Sequence, residues 1–90
     1  MGYDRRQRAA IDAAAARVAQ QLAELTGVPP RVTAEPDGVR IETDVTDAAL
    51  DHWTRLLAVL ELGTEYGVTN TPDGQTAWLR IELRRQGLHP

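Results

Sequence analysis

Ninety residues without a single cysteine make one small domain with a marginal core, and they exclude a disulfide framework, thiolate metal sites and thiol nucleophiles together. Thirteen acidic residues outnumber ten basic ones, all arginine, and the net charge of -3 is spread over both halves, so the bulk field mildly repels nucleic acid. The N-terminal Tyr3-Asp4-Arg5-Arg6-Gln7-Arg8 does not read as a signal peptide and no apolar run reaches bilayer length, so the expected location is the reducing cytoplasm.

Ile11, Ala15, Val18, Leu22 and Leu25 step by fours and threes and predict a helix from Asp4 to Leu25 with one core-facing stripe. Asp4 is its candidate N-cap. Gly27 sits where a left-handed residue closes a helix, and Pro29-Pro30 forbid continuation. Arg5, Arg6 and Arg8 lie in the first turns, against the macrodipole, which predicts a solvated end. Ala13 to Ala16 offer a smooth surface for close packing, and Ala13 with Ala16 form an alternative dimer seam.

Arg31–Glu35 and Val39–Val45 alternate as half-buried strands, with Val32 and Ala34 on one side of the first and Val39, Ile41 and Val45 on one side of the second. Pro36-Asp37-Gly38 joins them into a hairpin, with Asp bonding its own backbone and Gly free to take a positive φ. A second helix is predicted from an Asp44 or Thr46 cap to Leu62. Its buried stripe is Ala49, Leu50, Trp53, Leu56, Leu57 and Leu60, with Gly63 as terminator. Glu65–Thr71 and Thr76–Arg84 form a second hairpin in which Ala77, Leu79, Ile81 and Leu83 make one face, so that Thr76, Trp78, Arg80, Glu82 and Arg84 face outward. Gly67 either admits a bulge or leaves room beneath Trp78.

The hairpins share a motif. Val32-Thr33-Ala34-Glu35-Pro36-Asp37-Gly38 recurs as Val68-Thr69-Asn70-Thr71-Pro72-Asp73-Gly74, and each copy leads to an Arg-Ile-Glu triplet, Arg40-Ile41-Glu42 and Arg80-Ile81-Glu82, after an insertion in the second copy. The implied fold is α+β, of order α-β-β-α-β-β: a four-stranded antiparallel sheet with two helices packed on one face. It is expected to span residues 1–90, with 85–90 as a flexible tail. The order equals that of a ferredoxin-like β-α-β-β-α-β chain whose first strand has moved to its end, a comparison of topology that implies no activity.

Chemistry is sparse. Serine, cysteine and lysine are absent, which removes the common nucleophiles, Schiff-base chemistry and the P-loop lysine. His52 and Asp51 are helix neighbours pointing in different directions, His89 lies in the tail, and the carboxylates sit singly, with Asp37 and Asp73 explained by their turns. No catalytic, cofactor or metal residues are therefore assigned. The reading is a non-catalytic protein-interaction or adaptor domain, self-associating as a homodimer, whose mixed-charge sheet face carries Trp78, Arg80, Glu82, Arg84, Arg40 and Glu42. The alternative is a small nucleic-acid-binding regulator using Arg5, Arg6, Arg8, Arg84 and Arg85, brought together if the termini meet.

Overall fold

A computed structural model describes residues 5–82, so the Asp4 cap, Leu83, Arg84, Arg85, His89 and the 85–90 tail lie outside the described residues. The first helix, α1, runs Arg5–Thr26. Ala15, Val18 and Leu22 are buried along it, and Ile11 and Leu25 pack against the same core, so the predicted stripe is the one the fold uses. Gly27 closes the helix at φ +81, a left-handed conformation that glycine adopts without a Cβ penalty.

Strands β1 (Arg31–Glu35), β2 (Gly38–Asp44), β3 (Glu65–Thr71) and β4 (Gly74–Glu82) form one antiparallel sheet of order β1-β2-β4-β3. Two sequence-local hairpins are thus joined through their second strands. Ile41 lies opposite Leu79 at the middle of the junction, both with no exposed surface, and Val39 and Ala77 extend this buried row beneath the helices. The architecture is the expected α+β sandwich of one sheet and one helical layer.

The second helical segment departs from the predicted continuous helix. It divides into α2 (Asp47–Asp51) and α3 (Trp53–Leu60), because His52 takes φ -122 and ψ 36 and resets the helical phase. The buried face changes accordingly: Ala49, Leu56, Val59 and Leu60 are buried, Trp53 packs partly against the core, and Leu50, placed in the stripe by a straight helix, is 55% exposed. Thr46, of the two candidate caps, begins α2. Its hydroxyl accepts the Ala49 N–H at 3.1 Å and donates to the Thr26 carbonyl at 2.8 Å, which ties the start of α2 to the end of α1.

Gly38 requires a second correction. Among the described residues the positive-φ glycines are Gly27 and Gly74, not Gly38, which belongs to β2. Its constraint is proximity: a Cβ there would stand 2.2 Å from the Ile81 carbonyl oxygen and 3.0 Å from the Glu82 Cα. Thr43, on the same face of β2 as Val39 and Ile41, is fully buried, and its hydroxyl has no hydrogen-bond partner, which is a stability cost. Among the described residues no helix is long and apolar enough to cross a membrane.

Two expectations follow for urea denaturation. Gly38→Ala, which must displace backbone, is expected to destabilise by about 2 kcal/mol or more, whereas Gly27→Ala, with open space around it, bears only the left-handed backbone penalty of about 1 kcal/mol. Thr43→Val removes the orphaned hydroxyl at constant shape and is expected to stabilise by about 1 kcal/mol; a lower midpoint for this variant would show that the hydroxyl is satisfied in solution.

Candidate interaction surface

The sheet face away from the helices collects the outward residues of all four strands. The two Arg-Ile-Glu triplets meet there, because Arg40 lies directly opposite Arg80 across the β2–β4 junction. Around this pair the hairpins are related by an approximate two-fold relation: Glu82 faces Gly38 on one side and Glu42 faces Trp78 on the other. Trp78 therefore occupies in the second hairpin the place that Gly38 occupies in the first, and the two arginines have different surroundings.

Arg80 is held by carboxylates. Its Nε donates to Glu35 Oε1 at 2.9 Å, one Nη donates to Glu82 Oε2 at 2.8 Å and the other to Asp37 Oδ1 at 3.1 Å. Glu65 Oε1 adds an ion pair at 3.5 Å. These partners come from β1, the first turn, β3 and β4, so one guanidinium links the full width of the sheet. It crosses β2 beside Gly38, where no side chain stands in its path. Only 18% of the Arg80 side chain is exposed. The Glu35 hydrogen bond, opposed by desolvation and reinforced by the charges of Glu35, Asp37 and Glu82, holds the guanidinium above its ordinary pKa, so it stays protonated. Asp37, explained by its turn in the sequence reading, has this second and longer-range role.

Arg40 is held by an aromatic ring. Its guanidinium carbon stands 4.5 Å from the centroid of the Trp78 ring, within cation–π range, and its Nε donates to Glu42 Oε2 at 3.3 Å. The other side of the indole rests on Gly67, whose added Cβ would lie 3.0 Å from Trp78 Cζ2. The expected room beneath the tryptophan is present, and the β3–β4 register runs unbroken from Glu65 to Thr71, so Gly67 makes no bulge. Trp78 is half-buried on the outer face, between Gly67 and Arg40.

The structure thus brings together Trp78, Arg80, Glu82, Arg40 and Glu42, five of the six residues assigned to this face, with Arg84 outside the described residues. Glu35, Asp37 and Glu65 also belong to it. Among the described residues the face carries Arg31, Arg40 and Arg80 against Glu35, Glu42, Asp44, Glu65 and Glu82, with Asp37 at its rim, and acids outnumber bases there. Of the alternative basic cluster, Arg5 and Arg6 are exposed, while Arg8 donates to the Glu35 and Gly38 carbonyls at 3.2 and 3.4 Å and pairs with Asp12. Because Glu82 also sits opposite Gly38, the two ends of the described chain do converge at the first turn.

Depressions on the helix side are shallow and largely apolar. One of about 270 Å3 between α1 and β1 is lined by Asp12, Ala15, Ala16, Val32, Ala34 and Val39. Among the described residues no group of three or more histidines and carboxylates is placed to hold a metal ion. Comparison with protein-family models, with characterised proteins and with solved structures finds no match for the chain.

Arg80→Ala leaves four carboxylates facing one another and is expected to lower the denaturation midpoint well beyond Arg31→Ala. The latter breaks an exposed Arg31–Asp44 pair at 3.4 Å and should change stability by less than about 0.5 kcal/mol. A double-mutant cycle between Arg80→Ala and Glu35→Ala checks the assignment: additive effects would refute the coupling.

Proposed function

We propose that the chain is a non-catalytic protein-interaction domain whose contact surface is the outer sheet face around Trp78, and that its partner is a protein presenting a basic patch. The observation that carries this reading is the Glu42–Arg40–Trp78 stack beside the Arg80 carboxylate cluster. Tryptophan and arginine are the residue types that dominate interface hot spots, and here the Arg40 guanidinium is already stacked on the Trp78 ring and bonded to Glu42, an arrangement that lowers the ordering cost of binding. The surplus of carboxylates sets the sign of the partner. It also opposes stacking two such faces on each other, since like charges would meet.

The nucleic-acid alternative draws on the approach of Arg8 and Glu82, near the two ends of the described residues, to the first turn. That corner also holds Glu35, Asp37, Glu65 and Glu82, and a phosphate-tracking surface works by releasing counterions from a one-signed basic strip.

Chemical-shift mapping separates the two. An arginine-rich peptide added at low salt is expected to move the Trp78 indole N–H and the amides of Arg40, Glu42 and Glu82, and Trp78→Ala is expected to weaken binding by about tenfold, as at a hot spot. Saturable binding of single-stranded RNA lost with Arg5→Ala and Arg6→Ala, with no response to the peptide, would transfer the function to the alternative.

A further inference from the structure

The two edges of the sheet are built differently. Edge β1 has five residues with a charge at each end, Arg31 and Glu35, and follows Pro29-Pro30, features that keep a strand edge from pairing further. Edge β3 has seven residues, one charge, no proline and no bulge. The helical layer stops short of it: Tyr66 and Val68 lie opposite the buried Leu79 and Ala77, on the core side of the sheet, yet are 44% and 41% exposed.

The free hydrogen-bonding groups of that edge follow from the ladder. Gln75 turns its carbonyl to β2, accepting from Val45 N–H, and Arg80 turns its carbonyl to the other side, accepting from Thr64 N–H. Alternation along β4 then points the peptides of Gly74, Thr76, Trp78 and Arg80 at β3, where Thr71, Thr69, Gly67 and Glu65 answer them. The peptides of Tyr66, Val68 and Asn70 point out of the sheet.

We infer that β3 pairs antiparallel with β3 of a second copy of this chain, about a two-fold axis at Val68. This set of outward groups is self-complementary. Val68 exchanges both hydrogen bonds with Val68 of the second copy, and Tyr66 does so with the second copy's Asn70, so every outward N–H and C=O of the three residues is satisfied. The charge pattern permits it, because Glu65, the one ionised residue of β3, falls opposite Thr71 of the second copy. The pairing produces an eight-stranded sheet and covers Tyr66 and Val68 with their counterparts. A single strand edge is a small contact compared with the roughly 800 Å2 per partner of stable complexes, so the dimer is concentration-dependent. The contact is separate from the outer face and leaves Trp78 free for the basic partner.

Sedimentation velocity over a concentration series tests the pairing. The wild-type chain is expected to pass from monomer to dimer. Val68→Lys and Val68→Glu, each opposing like charges across the axis, should each raise the dissociation constant about tenfold or more, while an equimolar mixture of the two reassociates, which also shows that both variants fold. Because the chain has no cysteine, Val68→Cys is expected to form a disulfide-linked dimer on mild oxidation and Asp51→Cys is not; hydrogen-bonded partners lie about 5.5 Å apart between Cα atoms, within disulfide reach. A monomer at every concentration, or a dimer indifferent to both Val68 charge variants, would overturn the inference. A dimer lost in Trp78→Ala but kept in Val68→Lys would move self-association to the outer face and overturn the edge pairing alone.

Discussion

The Ile81 carbonyl oxygen occupies the space that a side chain at residue 38 would need. This close approach of two backbones fixes how the hairpins join, because it seats the start of β2 against the end of β4 and sets the register that places Ile41 over Leu79 and Arg40 beside Arg80. The core and the outer face both depend on that register. A slip of β4 by one residue against β2 would turn Ala77 and Leu79 to solvent and Trp78 and Arg80 inward. Arg80 then secures the junction from outside, drawing Glu35, Asp37, Glu65 and Glu82 onto one cation.

The same position explains why a repeated motif yields an asymmetric surface. Two Arg-Ile-Glu triplets provide two arginines each followed by the same Ile-Glu pair, but one looks onto Gly38 and the other onto Trp78. Where the side chain is missing, the guanidinium passes across to distant carboxylates. Where the indole stands, the guanidinium stacks on it. A repeated motif and the difference between Gly38 and Trp78 are enough to convert a symmetric plan into a face with an aromatic side and a strongly ion-paired side.

Local chemistry made much of this legible. Apolar spacing identified α1 and its buried stripe, alternation identified the strands, and Gly67 announced the space that the Trp78 ring fills. The hidden parts are those decided at long range. The break at His52 has no proline or glycine to mark it; it lets Ala49 on one piece and Leu56, Val59 and Leu60 on the other reach the same core. Thr43 reads as an ordinary strand threonine until β4 and the helices close over it. Strand order and the convergence of Glu35, Asp37 and Glu65 on Arg80 join residues too distant in sequence for any period or motif to connect them. Of the surface, outward alternation marks the central tryptophan, its flanking triplets and the charges of β1, whereas the part played by Glu65 and Asp37 emerges only when β3 and the first turn are placed beside them.

The strand order has a consequence for how the chain acquires its shape during synthesis. Each hairpin is local and closes quickly, but β2 and β4 lie about 40 residues apart along the chain, and their union must bear the loop-closure entropy of that separation. Moreover, β4 is a central strand yet follows every other described element. Until it leaves the ribosome, α1 and the first hairpin have only half a floor to pack on, and β2 keeps an open side. The earlier elements can collapse, but they acquire a unique arrangement only when the strand carrying Ala77, Leu79 and Arg80 arrives. The nascent chain is therefore most exposed to mispairing immediately before β4 emerges.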